Sequence, residues 1–253
     1  MRTAAVQKVN IMANVLIGAP TTRDLPVPYV RSLWTTALRG KTAWEIIYGQ
    51  SVDNGRNHLV RRFLTSPYYK EFDYLLMHDT DATWHPQALQ RLLDRDLPVV
   101  TAIMFKRSIP TIPTNGKFVT KDVEGHYMYS FRDTINKIKD IYDREKFDFE
   151  TMKNEIVLDK GIDDLMEIDG SGAHFMLIRR DVLEKIGENW YQCTRPGAGE
   201  DYDFCRKVKE AGYKIYADFS VFTGHHLGGM LTIGLKEFLQ FTDDERLPTE
   251  WTA

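Results

Sequence analysis

The sequence is poor in cysteine and has no long apolar run, and both absences narrow the class of protein. Two cysteines, Cys193 and Cys205, are too few for a disulfide framework, and no CxxC pair suggests a zinc site. No stretch approaches the roughly 18 consecutive apolar residues that mark a membrane-spanning helix. The amino terminus also lacks the apolar segment of a signal peptide. We therefore expect a reduced, cytoplasmic protein without a membrane span.

A strong excess of charge is also absent. The formal net charge is −3, which gives the whole chain no attraction to the phosphate backbone of a nucleic acid. Hydrophobic residues make up 43% of the 253 residues, which is enough to fill the core of one large domain. The composition therefore indicates a globular protein and leaves its function to the motifs.

Apolar strands and amphipathic helices alternate through the first hundred residues. The pattern predicts strands at 14–19, 44–48, 73–77 and 97–104, the first of them ending before Pro20. It predicts helices at 28–39, 56–64 and 86–95. Alternation of this kind is typical of an α/β fold, with a mostly parallel central sheet and helices on both faces. Ligands of such sheets bind at the carboxyl ends of the strands.

The alternation breaks at 108–164, which is too long to be a simple connection. Within this irregular inserted segment we predict a strand at 126–131 and a charged helix at 134–146. Beyond it we expect strands at 165–169, 173–179 and 213–217, the last being the final strand, and helices at 181–186 and 200–211. The predicted organisation is therefore an N-terminal tail (1–12), one domain (13–230) and a C-terminal segment (231–253).

Asp79 and Asp81 follow directly on the apolar strand at 73–77. Two carboxylates separated by one residue in an extended turn can point to the same side. At the carboxyl end of a strand they can hold a divalent cation, which would neutralise a leaving diphosphate. The alternative is a structural turn, because Asp commonly caps a helix such as the one predicted from Pro86.

Two further clusters carry possible chemistry. Glu200 and Asp201 follow the small residues Gly197, Ala198 and Gly199 at the start of a helix. There they can serve as a general base or merely complement the helix dipole. His225 and His226 lie in the glycine-bounded stretch GHHLGG, which we interpret as a loop. One of them can supply a neutral imidazole to a metal ion, although most single histidines are structural.

In this order, the motifs resemble those of GT-A glycosyltransferases. The nearest likeness is to the family 2-like glycosyltransferases of bacteria and phages, and it covers residues 14–229 except the inserted segment. The stretches that carry it are DYLLMHDTDATWHPQALQRLL, LPVVTAIMFKR, MEIDGSGAHFMLIRRDVLEKIG, GEDYDFCRKVKEAGYKIYADFSV and HHLGG. The resemblance implies a GT-A type fold. It also implies transfer of a hexosyl or pentosyl unit from a UDP- or GDP-type nucleotide sugar, with Mn²⁺ or Mg²⁺ as cofactor.

The resemblance also implies roles for individual residues. The metal contacts Asp81, with support from Asp79, and His226 completes its shell, with His225 as the second choice. Asp201, beside Glu200, is the base if the enzyme inverts. The residues expected at the donor are Ala19, Pro20 and Thr21 near the base, Arg56 and Asn57 after the second strand, and Gly170, Ser171 and Gly172 beneath the sugar. The alternatives for the last two groups are a solvated helical turn and a tight structural turn.

Two other functions compete with this one. A metal-dependent nucleotidyltransferase would require a glycine-rich phosphate loop with Lys or Arg after the first strand. The segment GAPTTRDLP at that position has one glycine and one arginine, which disfavours this function. A non-catalytic nucleotide-sugar-binding module would have no need of a base such as Asp201. The acceptor stays open between a saccharide, a protein side chain, a small molecule and a modified nucleobase, so nucleic acid enters only as an acceptor. We expect the inserted segment to cover the acceptor side. The basic residues Lys106, Arg107, Lys117 and Lys121 can serve an anionic acceptor, but we interpret them first as a solvated face.

Overall fold

The computed structural model describes residues 12–108, 110–122, 127–142, 148, 150, 153–158, 164–193, 199–228, 231–240 and 250–252. The predicted tail up to residue 11, together with Gly197, Ala198 and Gly229, lies outside these residues. The strands are β1 (Val15–Thr21), β2 (Thr42–Tyr48), β3 (Tyr74–His78), β4 (Ala82–Thr83), β5 (Val99–Ile103), β6 (Lys117–Lys121), β7 (Tyr127–Ser130), β8 (Ile156–Val157), β9 (Leu165–Ile168), β10 (Phe175–Arg179), β11 (Ile215–Phe222), β12 (Gly224–Gly228), β13 (Leu231–Ile233) and β14 (Glu250–Thr252). The helices are α1 (Val27–Thr35), α2 (Val52–Thr65), α3 (Ala88–Leu93), α4 (Arg132–Ile141), α5 (Arg180–Ile186), α6 (Glu200–Glu210) and α7 (Leu235–Gln240), with a short 3-10 helix at Pro67–Tyr69.

An eight-stranded sheet forms the centre of the fold, in the order β2-β1-β3-β10-β5-β11, with β8 and β9 both pairing with the outer edge of β11. The five strands β1, β2, β3, β5 and β11 run in one direction, whereas β8, β9 and β10 run against it. The predicted α/β fold with a mostly parallel central sheet is therefore confirmed.

Both faces of this sheet are covered, which explains why its strands read as continuous apolar runs. In β3, Leu75 and Met77 belong to a core shared with α2, α5 and α6. The alternate residues Tyr74 and Leu76 belong to a second core shared with α1 and α3. The prediction of helices on both faces is confirmed. None of the described helices is both long and apolar enough to cross a membrane.

Two strand ends differ from the prediction for identifiable reasons. β1 does not stop before Pro20 but continues to Thr21. It pairs with β3 only up to Gly18, so a residue without an N–H is tolerated at position 20 on that side. β11 extends to Phe222 rather than ending at 217. The buried Asp218 interrupts its apolar pattern, and Arg95, which follows α3, compensates that carboxylate at 2.7 Å.

The inserted segment is more regular than predicted. It forms the hairpin β6–β7, which β14 extends to three strands, and the helix α4, whose buried Ile135 and Ile138 pack on the core. The stretch that we predicted as a loop around His225 and His226 is the strand β12, which pairs with β4 and β13. The final strand is therefore not β11, and that prediction was wrong. Beyond it, Phe238 of α7 stacks on Phe105 with ring centroids 5.1 Å apart.

Candidate active site

One edge of the central sheet carries most of the candidate residues. The carboxyl ends of β1, β2, β3 and β5 meet there because these strands run in the same direction. A cleft opens at this edge, where parallel sheets generally bind ligands. The residues that line it are Pro20, Thr21, Thr22, Arg23, Gln50, Val52, Asp79, Thr80, Asp81 and Arg107.

Asp79, Thr80 and Asp81 form the turn between β3 and β4. The turn is closed by the N–H of Ala82, which donates to the Asp79 carbonyl at 3.1 Å. The Thr80 hydroxyl donates to the Thr21 hydroxyl at 3.2 Å and ties the turn to β1. On the other side, the N–H of His226 donates to the Asp81 carbonyl at 2.7 Å. Neighbouring strands therefore hold both carboxylates at fixed positions in the cleft.

Arg56 links this turn to the second acidic motif. Its side chain rises from α2 and is buried, with only 2% of the residue exposed. The guanidinium donates to Asp79 at 2.7 Å and also to Glu200, which is 144 residues away in sequence. Burial favours the neutral form of Asp79, but the charge and hydrogen bond of Arg56, together with the neighbouring histidines, lower the pKa of that carboxyl overall. Asp79 and Glu200 thus share one buried cation as their partner.

Asp201 is in a different electrostatic situation from its neighbour. It lies in the first turn of α6, where Oδ1 accepts the N–H of Tyr202 at 2.9 Å. Burial, and then the negative charge of Glu200, raise the pKa of Asp201 to about 7, although Arg56 acts in the opposite direction. Burial lowers the pKa of Lys106 to about 8, although the negative charge of Asp201 acts in the opposite direction. Glu200 is paired with Arg56. Asp201, in contrast, can gain or lose a proton near neutral pH.

The small residues at 170–172 pass close to Asp201. A Cβ on Gly170 would lie 2.5 Å from the ring of Tyr202, and one on Gly172 would lie 2.5 Å from the ring of His174. On Gly172 it would also lie 3.4 Å from Oδ2 of Asp201. Ser171 is buried between them and accepts a hydrogen bond from Asn115 at 3.1 Å. Glycine is therefore sterically required on both sides of a narrow backbone passage beside the candidate base.

His225 faces the acidic turn. Its Nδ1 lies 3.0 Å from the carbonyl of Phe105, and because a carbonyl can only accept, Nδ1 carries the proton. The unprotonated Nε2 is then directed towards Asp81, 3.6 Å from its Oδ1. Burial lowers the pKa of His225, which keeps the imidazole neutral at physiological pH. A carbonyl-anchored neutral imidazole beside a carboxylate is the arrangement expected of a metal-binding histidine.

His226 is less well placed for that role. Successive residues of a strand point to opposite faces, and it is His225 whose Nε2 lies 3.6 Å from Oδ1 of Asp81. The geometry thus favours His225 over the His226 that the resemblance suggested.

The donor set near the acidic turn fits a hard divalent cation only in part. Across the described ranges, no three His, Cys, Asp or Glu side chains are arranged as a metal site. Asp79 is engaged by Arg56, so the candidate ligands are Asp81 and His225, both of which contact Arg107. The Oδ1 of Asp81 is buried without a hydrogen-bond partner, as expected of an oxygen atom that coordinates a metal ion. Two protein ligands suit Mg²⁺ and similar ions when phosphate oxygens and water complete the shell.

The remaining donor residues have mixed outcomes. Pro20 and Thr21 line the cleft, whereas Ala19 is fully buried within β1 and does not belong to the lining. Asn57 does not face the cleft as expected. Its amide donates to the carbonyl of Tyr191 at 2.6 Å and accepts the N–H of the same residue at 3.0 Å. Both amide groups are thereby committed to the backbone.

Sequence reasoning missed four residues of this region. Arg23 and Gln50 each lie two residues beyond the end of a strand, and Arg107 follows β5. Their positions after strand ends were a usable signal. His174 was missed as well, because burial, which lowers its pKa to about 3, leaves no mark in the sequence. The interpretation as a solvated face was wrong for Lys106, which is half-buried near Asp201. Arg107 is exposed, as expected of such a face, but it also lines the cleft.

Comparison with known proteins identifies the fold. No known family matches the sequence, and no curated protein does. Among solved structures, the chain is similar to the crystal structure of A197 from STIV, with a TM-score of 0.53 and 16% identity over 87% of this chain and 90% of that one. It is also similar to GalNAc-T7 crystallised with UDP, GalNAc and Mn²⁺, with a TM-score of 0.52 and 9% identity over 90% of this chain. The match spans 47% of the GalNAc-T7 chain. The GT-A type fold predicted from the motifs is confirmed.

Proposed function

We propose that the protein is a glycosyltransferase that moves a hexosyl or pentosyl unit from a UDP- or GDP-type nucleotide sugar to an acceptor, with Mn²⁺ or Mg²⁺ as cofactor. One observation carries the proposal. Buried Arg56 joins the acidic turn to Glu200, so Asp81 and Asp201 share one region at the carboxyl ends of the strands. The fold adds support, because it is shared with GalNAc-T7, which was crystallised with UDP, GalNAc and Mn²⁺.

We assign the nucleotide sugar to the cleft because the side chains that line it suit a nucleoside and a diphosphate. Pro20, Thr21 and Gln50 offer apolar and hydrogen-bonding surface for a nucleoside. Arg23 and Arg107 bring positive charge to the same cleft, which suits a diphosphate. A bound cation would be held by Asp81 and His225, and it would act as a Lewis acid that neutralises the departing diphosphate.

Asp201 provides the base. Its carboxylate takes the proton of the acceptor hydroxyl, and the hydroxyl oxygen attacks the anomeric carbon. The bond between that carbon and the β-phosphate oxygen breaks, and the nucleoside diphosphate leaves with the electron pair. This route inverts the anomeric centre. Glu200 is excluded from the same role because Arg56 already binds it.

The acceptor is assigned to the side bordered by the inserted segment. Gly116 bridges to Gly170, and Asn115 bonds to Ser171, so this segment adjoins the passage beside Asp201. Its hairpin carries the exposed ring of Phe118, whose centroid lies 5.5 Å from that of Tyr127 at an interplanar angle of 54°. Stacking on such rings suits a saccharide, and we rank it first among the acceptors.

The pH dependence follows from Asp201. A base must be ionised to accept a proton, and the pKa of Asp201 is raised to about 7. We therefore expect kcat/KM to rise about tenfold per pH unit below that value and to level off above it. The measurement is a rate profile between about pH 5 and 9, with donor affinity measured in parallel. A rate that stays constant through this range would exclude Asp201 as the titrating base.

A thermal-shift screen tests the proposed function. Binding to the native state raises the melting temperature, so UDP- and GDP-sugars are compared with and without Mn²⁺. We expect one base type to stabilise the protein, and to do so more strongly with the metal. Stabilisation by nucleoside triphosphates alone would instead favour a nucleotidyltransferase, and no stabilisation by any nucleotide sugar would contradict the proposal.

A further inference from the structure

Arg107 contacts both of the side chains that we propose as ligands of the divalent cation. Its terminal nitrogen contacts Oδ2 of Asp81, and its Nε donates to Nε2 of His225. Asp81 lines the cleft, and Nε2 of His225 lies 3.6 Å from its Oδ1. A guanidinium thus bridges Asp81 and His225 where a divalent ion would bridge them.

The two cations exclude each other at this position. The Nε2 of His225 has a single lone pair, and it cannot accept a hydrogen bond from Arg107 and ligate a metal at the same time. Arg107 can withdraw, because 41% of its side chain is exposed, whereas Asp81 and His225 are only 19% and 13% exposed. The ligands are fixed by the sheet, and the arginine is the movable partner.

We propose that Arg107 is a built-in competitor of the divalent cation, which must leave Asp81 and His225 before the metal can bind. The inference rests on the proposed function for the identity of the metal ligands. Its consequence is that metal affinity is held low until Arg107 finds another anion, such as a donor diphosphate. The arginine thereby links occupation of the metal site to the presence of the donor.

The test is a titration with Mn²⁺ alone, in which electron paramagnetic resonance measures the free ion. Arg107→Gln is expected to bind Mn²⁺ about tenfold more tightly than the wild type, because a charge-assisted contact no longer opposes the metal. Arg107→Lys should fall between them, since an ammonium keeps the charge and loses the forked geometry.

Arg23→Gln is the matched control. Arg23 lines the same cleft, so the substitution removes the same charge. Within the described part of the chain, its guanidinium bonds neither Asp81 nor His225. Its effect on Mn²⁺ affinity should therefore be no more than about twofold, as for a screened charge at a distance. Equal tightening in Arg23→Gln and Arg107→Gln would overturn the inference, because it would show a general effect of charge.

Asp81→Asn separates this inference from the proposed function. Introduced into the wild type or into Arg107→Gln, this substitution should weaken Mn²⁺ binding, and it should remove the gain in affinity of Arg107→Gln. If Arg107→Gln binds no more tightly than the wild type, and Asp81→Asn weakens both, the competition is refuted while the metal site stands. If Asp81→Asn leaves every affinity unchanged, the metal site itself is misassigned, and the inference falls with it.

Discussion

Asp201→Asn is expected to lower kcat for transfer by about 10²–10⁴-fold, the usual contribution of a positioned general base. An amide of the same shape cannot take the proton of the acceptor hydroxyl. The donor dissociation constant should change by no more than about twofold, because Asp201 is not among the residues that line the donor cleft. Initial rates under donor saturation, together with donor affinity from calorimetry, measure the two quantities separately.

Asp203→Asn is the matched control for that variant. Asp203 lies in the same first turn of α6, but it pairs with Arg206 at 2.7 Å and Lys207 at 2.6 Å on its own helix. The same chemical change there should leave kcat within about twofold. Full activity in Asp201→Asn would point to a retaining route or to another base. A loss of donor affinity equal to the loss of rate would assign Asp201 to binding instead.

Asp81→Ala is expected to weaken metal-dependent nucleotide binding by about two orders of magnitude, because truncating one partner of a partly buried charge contact costs about 2–5 kcal/mol. Asp81 supplies the one carboxylate in the acidic turn that Arg56 does not engage. The difference between nucleotide affinities with and without Mn²⁺, measured by calorimetry, isolates the contribution of the metal.

Asp24→Ala is the control for the loss of negative charge. Asp24 is exposed and adjoins Arg23, which lines the cleft. We expect its removal to leave the metal-dependent part of the affinity unchanged. An Asp81→Ala variant that keeps this part would refute the assignment of Asp81 as metal ligand, whatever happens to metal-independent binding.

The alternation of strands and helices was predictable because a doubly covered parallel sheet imposes continuous apolar strands separated by amphipathic helices. The position of Asp79 and Asp81 followed from the same pattern, since they come directly after the apolar run of β3. The ends of the strands were harder to predict from the sequence. Asp218 is buried within β11, where Arg95, 123 residues earlier, and the nearby Ser220 satisfy its carboxylate.

Side-chain partners were not predictable from local sequence. The choice between His225 and His226 depends on which face of β12 meets the cleft, and the adjacent glycines suggested a loop rather than a strand. Asn57 follows Arg56 in the chain, yet the backbone of Tyr191 takes its amide groups. Arg107 looked like an ordinary surface cation until the fold brought it to Asp81. In each case a contact between distant segments decides the role.

Transfer of a glycosyl unit is tested most directly by phosphorus NMR of the nucleotide sugar that the screen selects, incubated with the diamagnetic Mg²⁺ and the protein. Cleavage at the anomeric carbon predicts signals of the free nucleoside diphosphate, at a slow rate with water as acceptor and faster with a saccharide. These signals should disappear in Asp201→Asn and persist in Asp203→Asn. Release of a sugar 1-phosphate, which accompanies transfer of the nucleotidyl group, would indicate a nucleotidyltransferase. An unchanged spectrum with a stably bound nucleotide sugar would indicate a binding module, and either result would contradict glycosyl transfer.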